Sequence, residues 1–86
     1  MTGAQALARI QAYVEASRYW FEAHALERMA ERGARRSDVL EAIRSARTAK
    51  RQDKGRWRVD GVDLDGDDLS VIVALDGTVV AIITVM

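Results

Sequence analysis

Apolar positions recur at helical spacing in the first half of the chain and alternate along the second half, and this change of period separates two kinds of element. Over residues 4–17, Leu7, Ile10 and Val14 fall on one side of a helix, with Ala6 and Tyr13 beside them. Residues 23–32 predict a second helix with Leu26, Met29 and Ala30 as its buried stripe. Gly33 follows as its C-terminal cap, where the left-handed conformation is easiest for glycine. Ser37 is placed to cap a third helix that runs to about Ala46, with Asp38 and Glu41 near its positive end and Val39, Leu40 and Ile43 as its apolar stripe. Between the first two helices, Arg18 to Glu22 carries Tyr19, Trp20 and Phe21 in a row, which suits a short extended segment or a tight aromatic junction.

Beyond the third helix the pattern is that of strands. Arg56-Trp57-Arg58-Val59 alternates polar and apolar, as a half-buried strand does. Leu69–Leu75 and Thr78–Val85 are rich in Val and Ile, and Asp76-Gly77 between them predicts a two-residue type I′ hairpin that pairs Leu75 with Thr78. On that register Ile72, Ala74, Val79 and Ile83 share one face, and Val71, Val73, Val80 and Ile82 share the other. Both faces are apolar, so the second calls for cover by the first helix, a second copy of the chain or a partner. Arg47–Asp53 is a weaker strand candidate because of its charge. The expected architecture is α+β: two or three N-terminal helices packed on one face of a three- to four-stranded antiparallel sheet, as one domain spanning residues 1–86.

Composition narrows the function classes. Hydrophobic residues make up 49% and charged residues 30%, a globular balance. The chain has no cysteine, which removes disulfides, cysteine nucleophiles and cysteine-based metal sites. It shows neither a basic stretch leading into an apolar run nor an apolar segment of the ~20 residues a membrane span needs, so a cytoplasmic protein without a membrane partner is expected. The net charge of zero conceals a strong asymmetry. All thirteen Lys and Arg residues lie between Arg9 and Arg58, against seven acids in residues 1–58, while Val59–Met86 holds six aspartates and no base. The first part is thus +6 and the second −6. Such a division suits a basic groove for a polyanion, and it equally suits charges that compensate across a surface.

Candidate chemistry concentrates in His24-Ala-Leu-Glu-Arg28-Met-Ala-Glu-Arg32-Gly33. On a helix His24, Arg28 and Arg32 share a stripe turned away from Leu26, Met29 and Ala30. The arginines suit a scissile phosphate, held in bidentate fashion and favoured in its charge-rich transition state. A histidine titrates near neutrality and suits proton transfer at a ribose 2′-hydroxyl or a leaving oxygen. One histidine cannot be acid and base at once, so Glu27, Glu31 or an arginine would have to complete the pair. A solvated helix face laced with glutamates accounts for the same spacing. Arg56 and Arg58 share a strand face and suit a phosphate-binding wall opposite His24, extended by Lys50, Arg51 and Lys54; a solvated strand face is the alternative. Trp57 and the Tyr19-Trp20-Phe21 run are read as packing residues before base-stacking ones. The acidic stretch Asp63-Leu-Asp65-Gly66-Asp67-Asp68 fails the EF-hand pattern, since Asp68 stands at the glycine position and no glutamate follows at the required distance. With one histidine and no cysteine a zinc site is not expected either, so no metal or cofactor is implied.

Taken together, these motifs resemble a known family. The signature is His24-Ala-Leu-Glu-Arg28-Met29-x-x-Arg32-Gly33, then Ser37-x-Val39-Leu40-x-Ala42-Ile43, Arg56-Trp57-Arg58-Val59-x-Gly61 and Val80-x-x-Ile83-Thr84-Val85. It resembles a small bacterial domain-of-unknown-function family that is similar to the BrnT, MqsR and RelE toxins. The resemblance covers about Tyr19 to the C-terminus and leaves the first helix, residues 1–17, outside it. It implies the RelE-like ribonuclease toxin fold, a toxin–antitoxin pair with a cognate antitoxin as partner, and metal-independent cleavage of RNA, free or on the ribosome. Carried over position by position, His24, Arg28 and Arg58 would be catalytic, while Arg32 and Thr84 would hold RNA beside the strand-face candidates Arg56, Lys50 and Arg51. A non-catalytic module that binds nucleic acid or an acidic protein through the same basic face is the alternative, as is dimerisation through the apolar sheet face. Two positions depart from the pattern: Ala34 stands where isoleucine commonly follows Arg-Gly, and Met86 where an aromatic commonly follows Thr-Val.

Overall fold

A computed structural model describes Met1–Met86. In chain order the elements are α1 (Gly3–Glu15), β1 (Tyr19–Phe21), α2 (Ala23–Arg32), α3 (Arg36–Ser45), β2 (Ala49–Arg51), β3 (Arg56–Val62), β4 (Asp68–Asp76) and β5 (Val79–Val85), with a 3₁₀ turn at Asp53–Gly55. The three helices pack on one face of a five-stranded sheet of order β1-β5-β4-β3-β2. The α+β class holds, but the sheet is mixed and has five strands, because Tyr19–Phe21 joins its edge parallel to β5. Every other neighbouring pair is antiparallel.

Local chemistry sets the helix ends. Thr2 opens α1 with reciprocal bonds: its Oγ1 accepts from Gln5 N–H at 3.1 Å, and Gln5 Oε1 accepts from Thr2 N–H at 2.9 Å. α1 buries Ala6, Ile10 and Val14, as its periodicity predicts. Gly33 closes α2 with φ 70°, the expected left-handed cap. The buried face of α2, however, is Ala25 and Met29, while Leu26 and Ala30 are exposed. The helix lies against β5, and a small side chain at Ala25 lets the two backbones approach where a leucine would hold them apart. α3 begins one residue before Ser37, so Ser37 is not its cap. Asp38, at the third helical position, accepts from the Arg35 N–H at 3.0 Å and from the Arg35 guanidinium at 3.2 Å. Its other carboxylate oxygen accepts from the Leu64 N–H at 3.2 Å and ties the β3–β4 turn to the start of α3.

Within the sheet the β4–β5 register differs from expectation by two residues. Asp76 pairs with Val79 and Leu75 with Val80, so Gly77 and Thr78 form the turn and Gly77 takes φ 63°. A two-residue slip leaves every side chain on its own face, whereas a one-residue slip would invert them all. Val71, Val73, Val80 and Ile82 therefore still share a face, and all four are fully buried under the helices. A bulge opposite Ile72/Val73 leaves Ile83 without a partner and returns Val85 to the core. Gly61 lies where β3 meets α3: a Cβ there would collide with the Ala42 carbonyl oxygen, and the Ser45 hydroxyl donates to Val62 C=O and accepts from Val62 N–H at the same contact. No helix is long and apolar enough to cross a membrane.

Candidate nucleic-acid interface

Strand β3 divides its side chains by alternation. Trp57 and Val59 turn into the core, at 6% and 0% exposure, so Arg56, Arg58 and Asp60 emerge on the face that no helix covers. The sheet register then builds rows across that face. Thr84 of β5 pairs with Ile72 of β4, Ile72 with Arg58 of β3, and Arg58 with Lys50 of β2. One row therefore reads Lys50, Arg58, Ile72, Thr84. Two residues along the strands, the next row reads Arg56, Ala74, Ala81, Trp20. On the other side of Arg58, Asp60 pairs with Ser70. Lys50, Arg56, Arg58 and Thr84, all named from the sequence as RNA-holding or catalytic, thus share one sheet face.

Arg58 is held in place by a network. Its Nε donates to Asp60 Oδ1 at 2.8 Å, and the Ser70 hydroxyl donates to the same oxygen at 2.6 Å. Lys50 Nζ lies 4.0 Å from Asp60 Oδ2. The Ser70 hydrogen bond above all, then the Arg58 bond, and the charges of Arg58 and Lys50 hold the Asp60 carboxyl below the usual carboxylate range. Asp60 is consequently a fixed anion that orients a guanidinium, and a weak base. Where β2 stops short of the end of β3, a polar cleft of about 540 Å³ opens beside this network, and Arg47 and Asp68 line it with Arg58, Asp60 and Ser70.

The remaining predicted residues lie elsewhere. His24, Arg28 and Arg32 are exposed on α2, whose inner face, Ala25 and Met29, packs on the helix side of the sheet. Their stripe is therefore separated from Arg56 and Arg58 by the sheet itself, and the groove expected between His24 and Arg58 does not form. The cause is the strand alternation: burying Trp57 under the helices forces its neighbours to the opposite side. Arg28 is 3.9 Å from Glu31 in a surface ion pair. Arg51, opposite Trp57, also faces away from the rows. Its guanidinium stacks 4.8 Å from the Trp57 ring centroid and donates to the Met1 carbonyl at 2.8 Å. The acidic turn after β3 is closed on itself, with Asp63 Oδ1 accepting from the N–H groups of Asp65 and Asp67 at 2.9 and 3.0 Å. No group of three or more His, Asp or Glu side chains converges as a metal site.

Sequence reasoning missed Asp60, Ser70 and Arg47, and it placed Trp20 among packing residues before stacking ones. Asp60 was within its reach, since it stands two residues beyond Arg58 on an alternating strand. Ser70 and Trp20 join the site only through cross-strand register, which the local pattern does not encode. Trp20 is 39% exposed, while its neighbours Tyr19 and Phe21 turn to the core side and meet edge to face at 5.9 Å. The packing expectation holds for those two rings and for Trp57, but not for Trp20.

No curated protein and no solved structure matches the chain. A family profile described as a domain of unknown function, DUF4258, does match, over residues 21–86. That span starts within β1 and includes α2, α3 and every row-forming residue except Trp20. By this match, the chain belongs to the DUF4258 family.

Proposed function

We propose that the protein is an RNA-directed toxin of the RelE type that holds the RNA backbone on the helix-free face of its sheet. The observation that carries this reading is the convergence of Lys50, Arg56 and Arg58 from two strands onto one uncovered face, with Arg58 oriented by Asp60 and Ser70. A guanidinium already fixed by a carboxylate loses little freedom when it takes up a phosphate, and it favours the charge-rich transition state of attack by the RNA's own 2′-hydroxyl. That chemistry requires no metal. Proton transfer is the part this face does not supply, because Asp60 is a weak base; the ribosome or the RNA would contribute it. A cognate antitoxin would neutralise the protein by covering the same basic surface.

Inducible expression in a bacterial host tests the reading. Growth arrest is expected from the parent, with relief by the double substitution Arg56→Ala/Arg58→Ala and by co-expressed antitoxin, and with no relief by His24→Ala. Relief by His24→Ala alone would move the chemistry to α2 and overturn the proposal. The weakness of Asp60 as a base favours a second reading, a binding module without catalysis. A harmless parent that retains RNA in a salt-dependent manner, with no cleavage products, would establish it.

A further inference from the structure

We infer that Trp20 is a base-stacking platform, and that the ligand of the helix-free face is an unpaired RNA strand running across the β-strands from Lys50 and Arg56 to Trp20. This inference rests on the proposed RNA-directed reading and adds the form of the RNA and the residue that selects it. The sheet register places Trp20, Ala81, Ala74 and Arg56 in one row on the uncovered face. At the usual strand spacing, three intervals put the two ends about 14 Å apart. Between the indole at one end and the guanidinium at the other stand only alanines, Ala81 buried and Ala74 half-buried, so no large side chain of the row separates the two. Trp20 is 39% exposed there, so a face of the ring is open to a ligand, and its indole N–H donates to Glu22 Oε1 at 3.1 Å, which restrains the ring. Further positive charge stands at the same edge, where Arg18 donates to Thr78 Oγ1 at 3.0 Å.

The direction of the strand follows from charge. The acidic turn Asp63–Asp68 closes one end of the face and Asp76 stands at the other, so a polyanion following the β-strands would run into carboxylates at both. Crossing the strands avoids both ends and meets Lys50, Arg58, Arg56 and then the aromatic, and the carboxylates beside this path, Asp60 and Glu22, are each engaged by a donor, Arg58 and the Trp20 indole. A backbone held by cations with a base laid on a π-face is the general solution for single-stranded nucleic acid. A duplex, whose bases are already stacked on one another, has no face to offer Trp20.

Binding of a fluorescently labelled decauridylate and of an RNA duplex of equal length, measured by anisotropy at low salt, tests the inference. Trp20→Ala should weaken the single strand about tenfold, since one stacked base contributes about 1.4 kcal/mol or more. The duplex should be unaffected, and Trp20→Phe should restore most of the affinity for the single strand. Intrinsic tryptophan fluorescence should be quenched by decauridylate in the parent and not in Trp20→Phe. Circular dichroism on both variants verifies folding. Unchanged single-strand affinity in Trp20→Ala, or an equal loss for the duplex, would overturn the stacking role while leaving the arginine surface standing. Failure of the parent to bind either RNA would remove the underlying reading as well. Loss of self-association in Trp20→Ala with RNA affinity intact would make the face a protein interface and overturn the inference.

Discussion

Asp38 and Asp60 hold together contacts that the backbone alone does not make. Asp38 is buried and accepts from Arg35 and Leu64; its carboxyl lies below the usual range because of the Arg35 backbone and side-chain hydrogen bonds, then that of Leu64. Asp60 is lowered by Ser70 and Arg58. Each therefore binds a proton less readily folded than unfolded. The stability it contributes is whole above the unfolded carboxylate pKa, about 3.9, and is lost as pH falls through the lower folded value. Thermal melts taken from neutral to acid pH should show the parent weakening through that window, and Asp38→Asn/Asp60→Asn should flatten the acid limb. An unaltered limb in the double variant would assign the acid sensitivity to other groups. Two glycines make a sharper contrast at the same scale. Gly61→Ala would drive a methyl group into the Ala42 carbonyl, which is backbone and cannot swing aside, so a loss of about 3 kcal/mol is expected. Gly33 has open space around it and only a φ of 70° to maintain, so Gly33→Ala should cost about 1 kcal/mol. Urea titration of both variants would measure the difference, and equal losses would mean that the α3–β3 contact yields easily.

Among the elements, α1 lies outside the residues that define the family, yet it is part of the same core. Ala6 and Ile10 are fully buried, and Gln11 Nε2 donates to the Ile43, Arg44 and Ala46 carbonyls at 3.1, 3.2 and 2.9 Å, which caps the end of α3. Ile10→Ala should thus cost about 3 kcal/mol, a large share of what so short a chain has to spare. Gln11→Ala should cost about 1 kcal/mol through the exposed carbonyl ends. A urea midpoint for Ile10→Ala within error of the parent would show that α1 is only appended. The positions of the helices were legible because their apolar period runs within a dozen residues: Gly33 and the Ile10–Val14 stripe required nothing distant. The start of α3, by contrast, depended on Asp38 meeting Arg35 and Leu64. Where size mattered more than hydrophobicity, the pattern misled. Ala25 is buried with Met29 on the face of α2 that packs on the sheet, and Leu26, one position on, turns outward. The parallel β1–β5 pair was invisible for a different reason: its partners lie some sixty residues apart, with Tyr19 opposite Val80, and a three-residue strand is too short to alternate. The same holds for the site. The arginine pair was readable from the strand, but which side of the sheet it would take depended on where the helices settled.

At the scale of the whole molecule, the zero net charge is a poor guide to what the surface attracts. Of the six aspartates of the second part, four gather in and beside the β3–β4 turn and Asp76 marks the end of β4. The middle of the helix-free face is thus left to three cations, Lys50, Arg56 and Arg58, and one carboxylate, Asp60, which pairs with Arg58 and Lys50. If these three cations each neutralise a phosphate of a single strand, the logarithm of the binding constant should fall with the logarithm of salt concentration with a slope of about −2. A molecule responding through its net charge alone would show a slope near zero. Anisotropy titrations between roughly 50 and 200 mM salt cover the useful range. In Arg56→Ala/Arg58→Ala the slope should shrink to about −0.7, the contribution of one contact. Arg28→Ala/Arg32→Ala, on the far side of the sheet, should leave both slope and affinity unchanged. The two double variants remove equal charge from the chain, so any difference between them reports position and not net charge. If the α2 pair carried the slope and the β3 pair did not, the polyanion would be bound on the helices, and His24 would again stand beside the phosphates.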